Sequence, residues 1–242
     1  MVISQIELEK YLSKLLKYYF SFGEDKSALD VTKGTNSHMI YYGNLFSLAS
    51  ALLHKIIPVN IVTLRHLLNA VMGFLTILYA IRMVRLSDND RAAFFTLLFL
   101  VFSPRFFGLS INAFRDTVFA FGFVSSAYYM MKIQLDLPNF NKSTWFKLGL
   151  TIFVTCGIRI VGLILFAFLG LILLIRFLQL RKKTPNSKSL LLRMFRYSIA
   201  TFVVSYFFIV ITWPFALQDM IQNPVEALSQ FNNFSLTTFK HL

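Results

Sequence analysis

Charge is scarce in this sequence. Only 14% of its 242 residues are Asp, Glu, Lys or Arg, and just 11 are acidic. A soluble domain needs roughly 25% charged residues to cover its surface, so a soluble globular protein is excluded. A single cysteine, Cys156, rules out internal disulfides and cysteine-based metal sites. No Walker motif, dinucleotide fingerprint, HExxH or nucleophile elbow occurs, which leaves soluble-nucleotide chemistry without support. No internal repeat or low-complexity tract is present either.

Apolar sequence takes the place of what is missing. Hydrophobic residues make up 56% of the chain, Phe alone numbers 28, and mean hydropathy is +0.62. These residues come in long runs rather than in a periodic stripe, the pattern of an integral membrane protein. The net charge of +13 would suggest nucleic acid in a soluble protein. Here no basic stripe interleaved with aromatics lies outside the apolar runs, so no nucleic-acid partner is expected. Basic residues in a membrane protein mark cytoplasmic loops and headgroup contacts.

A spanning helix needs about 20 mostly apolar residues. Residues 44–57 fall short of that before Pro58 and predict a short interfacial helix. Full-length candidates follow at 61–84, 92–108 and 113–133, then a long apolar stretch at 146–177 and a last one at 197–214. The fold class expected is all-α: a polytopic transmembrane bundle of about five to six membrane helices. The chain divides into an extracytoplasmic amphipathic segment with its interfacial helix (1–60), the bundle (61–214) and an extracytoplasmic tail (215–242). His38, Tyr41 and Tyr42 precede Gly43 and the start of the short helix, at a membrane boundary where aromatics are ordinarily belt residues.

Loop charges set the orientation. Arg82, Arg85 and Arg91 lie in one loop, Lys132, Lys142 and Lys147 around another, and Arg176, Arg181, Lys182, Lys183, Lys188, Arg193 and Arg196 crowd a third. All three are cytoplasmic by the positive-inside rule. Residues 146–177 then have both flanks inside. The preferred arrangement is a short helical hairpin turning near Cys156-Gly157-Ile158-Arg159, with Arg159 at its outer tip. The alternative is a single tilted helix that buries Arg159 mid-bilayer, at a cost of at least ~2.5–3.5 kcal/mol.

This topology gathers the stray polar residues on the outer face. The turn 103–116 carries Arg105, Asn112, Arg115 and Asp116. Asp116 either caps the following helix or pairs with Arg115 or Arg105, or else serves as an acid at the membrane surface able to act as a base or bind a divalent cation. Guanidinium forks match phosphate oxygens, so the arginines favour a phosphate partner. Arg65 and His66 start the first full span, as interfacial anchors or as support for the site. No acid lies near Arg159 in sequence, so its counter-charge comes from a ligand or from another segment, Asp116 included.

Five segments, in order, resemble bacterial glycosyltransferases of the GT-C class in the protein O-mannosyltransferase-like group. They are YYGNLFSLASALLHKI (41–56), RHLLNAVMGF (65–74), SPRFFGLSINAFRD (103–116), GIRIVGLIL (157–165) and WPFALQDMIQNPVEAL (213–228). The resemblance covers nearly the whole chain. It implies a multi-pass enzyme of the bacterial inner membrane that moves a sugar from a polyprenyl-phosphate donor to an acceptor hydroxyl on the extracytoplasmic side. Asp116 matches a second acid of the family, and Arg115 stands where many relatives have Lys. Leu109, Ala113, Phe114, Thr117 and Val118 depart from the pattern.

Relatives place a span and an Asp-Glu pair before such an amphipathic segment, and Met1 falls about where that pair belongs. The expectation is therefore a fragment that lacks the first span, the main outer-loop acid and the C-terminal spans. In the intact site, that acid would deprotonate the acceptor while Arg105, Arg115 and Arg159 stabilise the departing phosphate. Asp116 would orient the acceptor or a divalent cation, with Asn112, Arg65 and His66 in support. The rival class is a non-catalytic membrane protein, such as a flippase for lipid-linked sugars or a transporter component. Transporters gather their charges near the midplane; here they sit toward one face.

Overall fold

The structure is a computed structural model that describes residues 45–181, 187–213 and 219–237, with single positions between 13 and 21 and Ala216. For residues 230–237 only the backbone is described. Most of the amphipathic segment 1–44, including His38, Tyr41 and Tyr42, lies outside these residues, as do Lys182, Lys183, Pro214 and Phe215.

Among the described residues all regular structure is helical, as expected. The chain runs through α1 (Leu45–Ile56), α2 (Ile61–Arg85), α3 (Asp90–Val101), α4 (Pro104–Asn112), α5 (Phe114–Asp136) and α6 (Lys142–Cys156). A 3-10 turn (Ile160–Leu163) leads into α7 (Ile164–Leu180), followed by α8 (Ser187–Thr212) and α9 (Gln222–Thr237). Short polar caps start several helices. Asn60 Oδ1 accepts from Val62 N at 2.8 Å, Asn89 Oδ1 from Ala92 N at 2.9 Å and Asn141 Oδ1 from Ser143 N at 3.0 Å. Each satisfies one of the amides that a helix start leaves open.

Three segments are long and apolar enough to cross a membrane: Ile61–Arg85, Ile160–Leu180 and Ser187–Thr212. The stretch read as one straight span over 92–108 is instead a bent pair, α3 and α4, meeting at 63°. Ser103 and Pro104 cause the break. The Ser103 hydroxyl accepts from Phe106 N at 3.3 Å and Pro104 occupies the first turn, where its missing N–H costs nothing. The polar turn expected over 103–116 is thus mostly a second, nine-residue helix. Helix α5 has a span's length, but Ser125, Ser126, Tyr128, Tyr129 and Lys132 lower its apolarity. It runs through the centre of the bundle, packed mainly on α2 and α6.

The long apolar stretch folds back on itself. It breaks between Cys156 and Ile160, and near the far end of α7 Arg176 Nη2 donates to Leu137 O at 3.2 Å, just before α6 begins. The hairpin is observed, with Arg159 at its tip. Gly162 permits the tight turn, because a Cβ there would lie 2.9 Å from Cys156 N.

Small and hydroxylated residues bring the central helices close, as is usual where lipid removes the hydrophobic drive between helices. Ser126 Oγ donates to Thr151 Oγ1 at 3.0 Å between α5 and α6, and Ser205 Oγ donates to Gly149 O at 2.8 Å between α8 and α6. Around them Met130, Leu148, Ile152, Leu165, Leu169, Ile209 and Trp213 form the apolar core. Phe99, Phe102, Leu192 and Phe207 point outward, as lipid-facing side chains do.

Candidate functional site

One end of the bundle collects the hairpin tip, the start of α5, the start of α1 and the upper part of α2. Leu45 N donates to Gly157 O at 3.3 Å, tying α1 to the tip. Phe46, Val118 and Ile158 form a small buried cluster beneath, with Phe114 packed against it. Tyr206 donates its hydroxyl hydrogen to Met220 O, and α9 contacts the 3-10 turn, so the segment after α8 also folds over this end. The first turn of α5 carries Asp116.

Asp116 and Arg159 meet here. Arg159 Nη2 donates to Asp116 Oδ1 across 43 residues of sequence. The counter-charge for Arg159 is therefore Asp116, one of the alternatives open from sequence. Arg159 also lies over the Phe119 ring, 5.8 Å from its centroid, while its buried Nε has no hydrogen-bond partner. Both side chains keep partial exposure, 38% for Arg159 and 52% for Asp116. The carboxylate stands near the positive end of the α5 dipole. It does not cap the helix, because Ala113 holds the cap position without a side-chain bond.

Arg65 is not a snorkelling anchor. It is buried, with Cζ 4.3 Å from the Phe114 centroid and 5.2 Å from that of Phe46. Those two rings stack at 5.3 Å, within 5° of parallel. Aromatic faces attract a guanidinium electrostatically, which lets a cation sit in an apolar wall beside the Asp116–Arg159 pair. His66 Nδ1 lies 2.8 Å from Ile111 O. Since a carbonyl only accepts, Nδ1 carries the proton. Asn112 Nδ2 makes a long 3.4 Å bond to Gly108 O within α4. Arg115 is half-buried on the first turn of α5.

Arg105 is exposed on the first turn of α4, about 10 Å in helix rise from the end of that helix at Asn112. The structure brings Asp116, Arg159, Arg65 and His66 to one end of the bundle and puts Arg105 at the start of α4, away from the end that leads into α5. Among the described residues no group of three or more His, Cys, Asp or Glu side chains stands together. A divalent cation at Asp116 would have to compete with Arg159 and draw further ligands from the donor phosphate.

Asn69 was not singled out by its sequence. It is fully buried and donates from Nδ2 to Leu109 O at 3.0 Å. Its signal was available: Arg65, Asn69, Gly73, Thr76 and Ala80 recur every three or four residues and form the buried stripe of α2.

A comparison with known families matches residues 39–221 to dolichyl-phosphate-mannose-protein mannosyltransferase. Comparisons with curated proteins and with solved structures give no match.

Proposed function

Since the chain belongs to the dolichyl-phosphate-mannose-protein mannosyltransferase family, we propose that it takes part in transfer of mannose from a polyprenyl-phosphate carrier to a protein hydroxyl. The transfer takes place on the extracytoplasmic face of a cell membrane. The observation that carries this reading is the Asp116–Arg159 pair, formed at one end of the bundle by residues distant in sequence.

In this reading Arg159 faces the phosphate that departs from the anomeric carbon. Charge on that phosphate grows as the glycosidic bond breaks, so a fixed cation stabilises the transition state more than the ground state. Asp116 holds the Arg159 fork in place and is the acid nearest the phosphate. Arg65, held over the Phe46 and Phe114 rings, adds positive potential at this end of the bundle. Arg115 stands on the first turn of α5 beside Asp116 and supplements it. Arg105, exposed on the first turn of α4, adds positive charge for the donor phosphate. Deprotonation of the acceptor hydroxyl is assigned to an outer-loop acid other than Asp116.

The test is mannose transfer from dolichyl-phosphate-mannose to a Ser/Thr peptide in lipid nanodiscs. With the outer-loop acid that deprotonates the acceptor present, the wild type should transfer, and Asp116→Asn should lower kcat at least about tenfold, since a misaligned charge loses its transition-state contact. Full activity in Asp116→Asn would remove the acid from the site. Uptake of donor across vesicles without transfer would favour a flippase instead.

A further inference from the structure

Helix α4 ends two residues before α5 begins, and its last turn leaves carbonyls that lipid cannot satisfy. Side chains from other helices meet them. Leu109 O accepts from Asn69 Nδ2 at 3.0 Å, from Thr117 Oγ1 at 2.9 Å and from Ala113 N at 2.8 Å. Ile111 O accepts from His66 Nδ1 at 2.8 Å. Asn69 and His66 both come from α2, on consecutive turns. Below them the two helices touch: a Cβ on Gly73 would lie 2.6 Å from Ser110 Oγ and 2.7 Å from Ser110 Cβ.

The Asn69 amide pays a cost for this single bond, because its Oδ1 is buried without a partner. A buried amide oxygen left unsatisfied is destabilising, so an apolar residue would serve packing alone better. What Asn69 supplies is a donor at one carbonyl. That carbonyl also receives Thr117, the residue after Asp116. Bonds from α2 thus hold the end of α4, and the Thr117 bond ties the start of α5, one residue from Asp116, to the same carbonyl.

We propose that Asn69 and His66 are positioning residues: they latch the C-terminal end of α4 to α2 and so hold Asp116 facing Arg159. The proposal rests on the transferase reading for its catalytic consequence. The latch itself is a structural claim that can be tested without activity.

The experiment uses the full chain in lipid nanodiscs and reads two quantities. The first is amide hydrogen exchange over residues 109–117. Asn69→Leu and His66→Phe should each speed exchange about fivefold, the effect of one lost hydrogen bond. His66→Asn should restore protection, because an asparagine Nδ2 occupies nearly the place of a histidine Nδ1. His66→Gln, whose amide reaches the Nε2 position, should not. The second is mannose transfer, with kcat falling about ten- to a hundredfold in His66→Phe and Asn69→Leu. Donor KM should stay within about threefold, and His66→Asn should keep near-wild-type kcat.

Wild-type exchange over 109–117 in both disruptive variants would overturn the latch. Equal loss of protection in His66→Asn and His66→Phe would overturn the assignment of the Nδ1 bond. A wild type that transfers no mannose with the outer-loop acid present would count against the transferase reading, and the exchange measurement would still decide the latch.

Discussion

Replacing Gly122 by alanine should loosen the bundle where it is tightest and carry the effect to the site. A methyl at Gly122 would sit 2.5 Å from Thr155 Oγ1, 2.9 Å from Thr155 N and 3.1 Å from Thr155 Cα. Two of those atoms are backbone, so no rotamer change makes room and α5 must move away from α6. Overpacking of this kind costs about 1–3 kcal/mol. Alanine itself gains about 1 kcal/mol over glycine in a helix, so the net loss is about 0–2 kcal/mol.

Gly170 in α7 provides the control, because a Cβ there meets nothing within 4 Å. Gly170→Ala should keep the whole propensity gain. The difference between the two variants then isolates the clash, at about 1–3 kcal/mol. Reversible unfolding in bicelles by steric trapping measures it. Gly122 lies six residues after Asp116 and Thr155 four before Arg159, so the same separation should weaken that ion pair. Equal stability of Gly122→Ala and Gly170→Ala would refute the close packing of α5 on α6.

Thiol labelling tests the orientation. Val161→Cys and Phe107→Cys, both at exposed positions, should react from the outer side and Lys188→Cys from the inner side. The native Cys156 is buried and should give no background; outer labelling at 188 would invert the topology. Arg65→Lys keeps the charge but loses the planar contact with Phe114 and Phe46. It should cost about 1 kcal/mol in the same unfolding assay, and wild-type stability would contradict the aromatic clamp. Asp219 accepts from Ile221 N at 3.0 Å and Gln222 N at 2.8 Å, and these backbone bonds hold its pKa below the usual 3.8. A lowered folded pKa means the stabilisation is present above 3.8 and is lost as pH falls through the lowered value. Protection of the Gln222 amide, taken relative to its intrinsic exchange rate at each pH, should therefore hold from neutral pH to about 4 and be lost only below. Asp219→Ala should lower that protection at neutral pH; no difference between the two chains would remove the bond.

The spans were legible because hydropathy over 20 residues depends little on neighbours. Charge alone placed the hairpin: basic flanks on both sides of 146–177 required a return, and the chain does turn at Arg159. The bend between α3 and α4 was missed although Ser103-Pro104 is a helix-start signal, because the apolar run continues across it. Arg65 looked like an anchor because its aromatic partners, Phe46 and Phe114, are 19 and 49 residues away. Asn69 was hidden by its surroundings for the same reason. Its value lies in the bond to Leu109 O, on a helix 40 residues away that no pattern within α2 reveals. Distances among Asp116, Arg159 and Arg105 depend on how α4 and the hairpin tip stack, which no local pattern encodes.

Arginine replacement at the two ends of one hairpin tests the central claim most directly. Arg159 and Arg176 both belong to the hairpin and both make one long-range bond, Arg159 to Asp116 and Arg176 to Leu137 O. The Asp116–Arg159 pair is partly exposed, so its loss should cost at most about 1 kcal/mol of stability. Mannose transfer in nanodiscs should fall at least about tenfold in Arg159→Ala, with Arg176→Ala close to wild type. Equal activity in the two variants would show that the pair at the tip has no part in transfer.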